Sequence, residues 1–244
     1  MTQAINDFIY GVHAVIEAIE NKHGNKLFVQ EDLKGKNVNQ LKAIAKQYNV
    51  PTKFVTKKKL EELSDGGVHQ GFVLAVTPFE YWTLEALIQK TNNTAAFYLI
   101  LDGIQDPHNL GSILRTADAA GVTGIIIPKH RSVGVTSTVV KTSTGAAEYV
   151  PIARVTNLSA TVKALKEAGF WVFGTDMNGT PYTKWNTQGK IALIIGNEGK
   201  GISPALQKNV DETISIPMTG HVQSLNASVA AALLIYEVYR HRIV

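Results

Sequence analysis

Apolar and polar positions in the first third of the chain follow two periods, one typical of helices and one typical of strands. Helix-like spacing over 8–19 and over 39–48 predicts two amphipathic helices. Short apolar runs predict strands at 26–29, 51–55 and 72–76. Strands and helices that alternate over this length indicate a small α/β domain, which we place at 1–78.

The rest of the chain is richer in continuous apolar runs. These runs predict five strands, at 97–101, 124–127, 170–174, 191–195 and 213–216. Helical patterns follow at 110–120, 158–168 and 226–240. Such a succession favours a parallel sheet covered by helices on both faces. We therefore predict a second α/β domain over 95–244, joined to the first by a linker over 79–94 that contains a short helix at 84–89.

Three segments of the second domain lead from a predicted strand into a loop of glycine and small polar residues. They read D-P-H-N-L-G-S-I-L-R-T-A-D-A-A-G at 106–121, I-I-G-N-E-G-K-G-I at 194–202 and I-P-M-T-G-H-V-Q-S-L-N-A-S-V-A at 216–230. Open α/β sheets bind ligands at the carboxyl ends of their strands, and glycine lets the backbone approach a ligand closely. Each segment also has an ordinary structural explanation. Asp106 or Asn109 could cap a helix, 196–201 could be a tight turn, and Ser224 or Asn226 could be an N-cap.

Composition and motifs exclude several classes of site. Neither G-x-x-x-x-G-K-[S/T] nor G-x-G-x-x-G after a first strand is present. The chain has no cysteine, and its 7 histidines show no metal-ligand spacing, so we expect no metal. The lack of cysteine also fits a cytoplasmic protein. No apolar run reaches the roughly 18 residues of a membrane span, so we expect no membrane partner. The net charge of +4 permits an anionic partner such as nucleic acid.

In their order and spacing, the three segments resemble the three motifs of the SpoU/TrmH family of RNA ribose 2′-O-methyltransferases. Y-G-V-H-A-V at 10–15 and H-Q-G at 69–71 resemble the L30e-like substrate-binding domain of the bacterial 23S rRNA guanosine branch. The resemblance implies a Rossmann-like parallel sheet with a deep trefoil knot, a homodimer, and S-adenosylmethionine as methyl donor. It implies methyl transfer to a guanosine ribose in 23S rRNA. A tRNA acceptor and a non-catalytic RNA-binding protein of the same fold are the alternatives.

The resemblance also assigns residues to roles. The implied catalytic residues are Arg115, Asn109, Ser224, Asn226 and Glu198. The implied donor-binding residues are Gly196, Ile216, Leu225, Asn197, Gly199, Met218 and Thr175. A guanidinium is effectively never deprotonated, so we expect Arg115 to hold a phosphate and stabilise a developing alkoxide, not to act as a base. In the first domain, we expect 57–59 and 66–71 to contact RNA.

Overall fold

The protein is described here by a computed structural model over residues 7–20, 22–77, 79–91, 95–197, 199, 201–222 and 224–242. The chain divides into two compact units, 1–80 and 81–244. None of the described helices is long and apolar enough to cross a membrane.

The first unit is a mixed sheet with helices on both faces. Its elements are β1 (Asp7–Tyr10), α1 (Val12–Glu20), β2 (Gly24–Gln30), α2 (Lys36–Gln47), β3 (Thr52–Val55), α3 (Lys57–Leu63) and β4 (Phe72–Val76). The strand order is β1-β4-β2-β3, and of the described pairs only β2–β3 is parallel. One face packs against α1 and α2, and α3 covers part of the other face through Leu60.

The start of this unit corrects one prediction. Residues 8–10 were predicted to begin a helix, but they form β1, which pairs antiparallel with β4. Gly11 separates β1 from α1 with a φ of +91°, a left-handed conformation that glycine adopts without a steric cost. The apolar residues before Gly11 continue the helical spacing of the apolar residues after it, although they lie in a strand. So short an apolar run fits a strand and a helix equally well, and the spacing alone could not separate β1 from α1.

The second unit contains the larger sheet. Its strands are β5 (Phe97–Leu101), β6 (Gly124–Pro128), β7 (Ile152–Val155), β8 (Trp171–Pro181), β9 (Ile191–Ile195) and β10 (Glu212–Ser215). Its helices are α4 (Leu84–Lys90), α5 (Pro107–Ala119), α6 (Ser137–Thr142), α7 (Leu158–Glu167), α8 (Pro204–Gln207) and α9 (Ala227–Arg242), with 3₁₀ turns at Ala146–Glu148 and Tyr182–Lys184.

The described strands of this sheet run in the order β10-β8-β9-β5-β6-β7, and all their pairings are parallel. Every residue of β5 and β9 is buried, as expected for central strands covered on both faces. The predicted parallel α/β sheet is therefore confirmed. β7 was not predicted, because its four residues include Arg154 and make only a weak apolar run. The deep knot stays a prediction.

Residues 81–91 belong to the second unit, although the sequence suggested a linker over 79–94. Trp82 donates a backbone hydrogen bond to the Ile152 carbonyl (2.9 Å). Leu87 is fully buried in the core of the larger sheet, and Tyr98 Oη donates to the Leu87 carbonyl (2.8 Å). The helix α4 is thus part of the fold that holds β5 and β7.

The helix α5 begins three residues earlier than predicted. Asp106 caps it, because its Oδ1 accepts a hydrogen bond from the His108 amide (2.8 Å), and Pro107 occupies the first turn. Gly111 lies where α5 meets α6, and a Cβ there would stand 2.5 Å from Cβ of Thr142. Glycine at this position therefore allows α6 to pack closely against α5.

Candidate functional site

A cavity of about 820 Å³ opens beyond the carboxyl ends of β9 and β10 and against the middle of β8. This is the edge of a parallel sheet at which α/β proteins bind ligands. Its lining combines apolar side chains, glycine backbone and a few polar groups: Thr175, Asp176, Met177, Ile195, Gly196, Asn197, Gly199, Gly201, Ile202, Pro204, Gln207, Lys208, Ile214, Ile216, Met218, Ser224, Leu225, Ala227 and Ala230.

The loop after β9 forms one wall of the cavity and is closed on itself. The amide of Asn197 donates to the Gly201 carbonyl (3.0 Å), and the amide of Gly201 donates back to Asn197 (2.8 Å). Asn197 Oδ1 also accepts from the Gly199 amide (3.0 Å). At Gly196 a Cβ would lie within 2.5 Å of the Gly201 and Ile202 backbone. Glycine is therefore required where this loop turns back on itself.

The same loop is fastened to the loop that follows β5. Asn197 Nδ2 donates to the Gly103 carbonyl (3.0 Å). The amide of Ser203 donates to Asp102 Oδ2 (2.8 Å). Since β5 and β9 are adjacent parallel strands, these two bonds join the loops at their carboxyl ends into one support for the cavity wall.

The opposite wall comes from a bulge in β8. Thr213 of β10 pairs with Gly174, but the next residue, Ile214, pairs with Thr180. Residues 175–179 are therefore left out of the ladder, and Thr175 and Asp176 line the cavity as a result. Thr175 Oγ1 donates to the Ile194 carbonyl (3.2 Å), which holds the start of the bulge against β9.

The third segment connects the cavity to α5 through two asparagines. Asn226 Oδ1 accepts from the Ser228 amide (2.9 Å) and so caps α9. Its Nδ2 donates to Asn109 Oδ1 (3.0 Å), across 117 residues of sequence. Asn109 is 8% exposed. The capping explanation for Asn226 is thus correct, and the same side chain also fixes the loop 217–226 to the first turns of α5.

Arg115 does not line the cavity of its own chain. It is exposed on α5. Close to it, α5 and α9 form a shallow groove of about 840 Å³. The exposed apolar side chains of this groove are Val229, Leu233 and Tyr236.

The structure brings together most of the residues assigned by resemblance. The cavity is lined by all seven implied donor-binding residues (Thr175, Gly196, Asn197, Gly199, Ile216, Met218 and Leu225) and by Ser224. Asn109 and Asn226 bond to each other at its border. Glu198 lies outside the described residues.

Sequence reasoning missed three polar lining residues, Asp176, Gln207 and Lys208. Asp176 lies in the β8 bulge, and its Oδ1 accepts from the Asn178 amide (2.9 Å). A polar turn directly after a predicted strand was the only available signal for it. Gln207 and Lys208 lie at the end of α8, which is too short to be predicted from periodicity.

The cavity suits the chemistry of S-adenosylmethionine. Its volume lies within the roughly 300–1,000 Å³ typical of sites for small molecules and cofactors. Ile214, Ile216 and Leu225 offer an apolar surface for an adenine ring, and the Asp176 carboxylate can accept hydrogen bonds from hydroxyl or ammonium groups. Among the described residues, no group of three or more His, Asp or Glu side chains could hold a metal ion.

Two family descriptions match the chain. Residues 96–236 match the SpoU rRNA Methylase family, and residues 8–82 match RNA 2′-O ribose methyltransferase substrate binding. A Staphylococcus aureus protein named as a TrmH family tRNA/rRNA methyltransferase is 49% identical over 238 residues, which cover 96% of each chain.

Two solved structures resemble the fold. An AdoMet-bound rRNA methyltransferase from Sinorhizobium meliloti has a TM-score of 0.64 at 26% identity, over 97% of this chain and 88% of that one. A TrmH/SpoU tRNA modifying enzyme from A. aeolicus has a TM-score of 0.56 at 28% identity, over 66% of this chain and 82% of that one. With more than half of its length matched by the family and its cavity suited to the donor, the chain belongs to the SpoU methylase family and is an S-adenosylmethionine-dependent RNA methyltransferase.

Proposed function

We propose that this protein transfers the methyl group of S-adenosylmethionine to the ribose 2′-hydroxyl of a guanosine in 23S rRNA. The observation that carries the proposal is the bond between Asn226 and Asn109 (3.0 Å), which fixes the donor cavity to the helix that bears Arg115. The match of 8–82 to an RNA 2′-O ribose methyltransferase substrate-binding domain supports a ribose 2′-hydroxyl of RNA as the acceptor.

In this proposal the donor is held mainly by backbone groups. The donor supplies an electrophilic methyl group on a sulfonium centre. Gly196, Ile216 and Leu225 present main-chain donors and acceptors, which explains why apolar residue types stand at binding positions. Thr175, Asn197, Gly199 and Met218 line the same cavity. Because the loops are tied together before any ligand arrives, little ordering is needed on binding, and the reacting atoms are aligned mostly by position.

The acceptor side depends on Arg115. A ribose hydroxyl is a poor nucleophile until its proton is removed or its developing charge is stabilised. Arg115 stays cationic, so its role is to grip the phosphate beside the target ribose and stabilise the oxygen as it becomes anionic. Asn109 and Asn226 hold the border between α5 and the cavity, and Ser224 orients the hydroxyl. Glu198, in the loop between Asn197 and Gly199, is assigned to order this network.

A second copy of the chain would explain why Arg115 does not line the cavity of its own chain. The groove between α5 and α9 exposes Val229, Leu233 and Tyr236, and apolar patches of this kind mark protein–protein contacts. We infer a symmetric homodimer through this face, in which Arg115 of one protomer serves the cavity of its partner. The proposal includes the deep trefoil knot, which the family resemblance implies, and a cytoplasmic location, which the lack of cysteine fits.

The test is methyl transfer from tritiated S-adenosylmethionine to unmodified 23S rRNA and, in parallel, to total tRNA. We expect label in 23S rRNA, at a ribose that resists alkaline cleavage. Arg115→Ala should abolish transfer while donor binding and dimer mass stay normal, and Arg115→Lys should retain only part of the rate because it lacks the planar fork. Near-normal turnover of Arg115→Ala would refute its role.

Two other outcomes would redirect the proposal. Label in tRNA alone would keep the chemistry and change the substrate. The tRNA modifying enzyme from A. aeolicus matches only 66% of this chain, which favours the larger RNA for a protein with an additional N-terminal unit. RNA binding without any donor binding would indicate a non-catalytic RNA-binding protein.

A further inference from the structure

The loop between β6 and α6 presents three consecutive basic or imidazole side chains to solvent. Lys129, His130 and Arg131 are all exposed. In the part of the chain that the structure describes, none of the three makes an ion pair, whereas several other lysines and arginines do. The charges of Lys129 and Arg131 are therefore available to an anionic partner.

The backbone of this loop is fixed on several sides. The amide of Val133 and the hydroxyl of Ser132 both donate to the Ile104 carbonyl (2.8 and 3.0 Å). The amide of Lys129 donates to Val155 (2.8 Å), the next strand in the sheet. A loop held in this way starts its side chains from defined backbone positions, so little backbone entropy is lost when they bind.

Arg154 and Tyr81 hold the two ends of the loop. Arg154 Nη2 donates to the Lys129 carbonyl (3.3 Å), and its guanidinium lies 5.2 Å from the ring centre of Tyr81. Tyr81 Oη in turn accepts from the Val135 amide (2.8 Å). Arg154 therefore acts as a support, which leaves binding to Lys129 and Arg131.

Arg131 adopts a conformation that glycine would adopt at lower cost. Its φ is +59°, in the left-handed region. Non-glycine residues persist in this region where the surrounding structure fixes them, and they cluster at binding and active sites. A long cationic side chain at this position has no structural partner among the described residues, so a role in binding explains why it is there.

The loop stands directly beside the donor cavity. A Cβ added to Gly103 would lie 3.7 Å from the Arg131 carbonyl oxygen and 3.8 Å from Cβ of Asn197, which lines the cavity. The Gly103 backbone thus approaches both the basic loop and a residue of the cavity wall. Both are at the carboxyl edge of the sheet, where the acceptor nucleotide must enter.

We propose that Lys129 and Arg131 bind backbone phosphates of the RNA strand that flanks the methylated nucleotide. This inference rests on the RNA substrate of the proposed function. Phosphate contacts fix the register and orientation of a strand without reading its sequence. The loop therefore positions the acceptor strand over the cavity, and base selection takes place elsewhere.

The experiment measures binding of unmodified 23S rRNA transcript over a series of KCl concentrations. Log affinity falls linearly with log salt concentration, and removal of one phosphate contact decreases the steepness of this fall by about 0.7–0.9. We expect this decrease for Lys129→Ala and for Arg131→Ala, with a higher KM for RNA and a nearly unchanged kcat. Arg131→Lys should restore the slope, because it retains the charge.

Lys163→Ala is the matched control, because it removes an exposed lysine from the middle of α7. Its slope should equal that of the wild type. Donor binding by calorimetry should be normal in every variant, which separates lost phosphate contacts from a damaged fold. Wild-type slopes for both loop variants would overturn the inference.

The two proposals fail in different ways. If the wild type methylates RNA but the loop variants keep its slope, the inference is wrong and the proposed function stands. If the wild type binds RNA without methyl transfer while the loop variants lose slope, the loop assignment holds and the catalytic proposal fails. A wild type that binds no RNA would refute both.

Discussion

Replacement of Gly196 by alanine tests the donor site with the smallest possible change. The added Cβ would lie 2.2 Å from the Gly201 carbonyl carbon and 2.4 Å from the Ile202 nitrogen. Ordinary contacts begin near 3.4 Å, so the backbone must move by about 1 Å. Both neighbours are main-chain atoms, which cannot turn away as the end of a flexible side chain could.

The size of the effect follows from the bonds that this movement breaks. Asn197 and Gly201 exchange two backbone hydrogen bonds, of 3.0 and 2.8 Å, at the point where the methyl group would intrude. Each is worth about 0.5–1.5 kcal/mol net, so their loss costs ~1–3 kcal/mol. If the loop must recover its shape to hold the donor, affinity falls roughly 5- to 150-fold, at tenfold for each 1.4 kcal/mol.

Calorimetric titration of S-adenosylmethionine measures this loss directly. Gly220→Ala is the matched control, because Gly220 is exposed and an added Cβ there meets nothing within 4 Å. We expect wild-type affinity and melting temperature for Gly220→Ala. For Gly196→Ala we expect weakened binding and a melting temperature lower by about 2–4 °C for each kcal/mol lost. Wild-type affinity in Gly196→Ala would refute the assignment of this loop to the donor site.

Three further predictions concern stability. Asp106→Ala should lower the free energy of unfolding by about 1 kcal/mol through loss of the α5 cap, whereas Asp106→Asn should retain most of it; urea denaturation measures both. Gly111→Ala gains about 1 kcal/mol in helix propensity but places Cβ 2.5 Å from Thr142, which costs about 1–3 kcal/mol. We expect a net loss in a thermal melt, and a stabilised variant would contradict the packing. Hydrogen bonds from Arg240, and then from His241, lower the pKa of Glu237 below its ordinary 4.5. That carboxylate therefore stabilises the fold above the unfolded pKa, and the contribution disappears as pH falls through the folded pKa. In Glu237→Gln the free energy of unfolding should depend less on pH below about 4.5 than it does in the wild type. The same pH dependence in both proteins would refute the role of Glu237.

The parts of the fold that the sequence predicted are those with one dominant local signal. β5 and β9 are buried throughout, so their continuous apolar runs stand out. Residues 8–10 were wrongly assigned to a helix because the apolar residues at the end of β1 and at the start of α1 are separated only by Gly11. β7 was not predicted because it is an edge strand that is only partly buried. Such a strand needs few apolar residues, so its apolar run is too short to stand out.

The sequence located the three loops that surround the cavity, but it did not identify all the side chains that line it. By resemblance, the order of the three motifs led to eight of the residues that line the cavity, and their roles stay a prediction. Asp176 was missed because its position depends on the bulge, and the bulge is set by pairing of β8 with β10, about forty residues further along the chain. Local patterns carry no record of such long-range register.

The position of Arg115 explains why motif order alone was an incomplete guide to the acceptor side. The residues that line the cavity come from the bulge in β8, from the ends of β9 and β10 with the loops that follow them, and from α8 and α9. The cations assigned to RNA come from α5 and from the loop after β6, and none of them lines the cavity. The donor and the acceptor strand therefore have separate supports, which must be held in register for the reacting atoms to meet. The bond between Asn109 and Asn226 joins the cavity border to α5, so loss of either amide should lower kcat more than donor affinity.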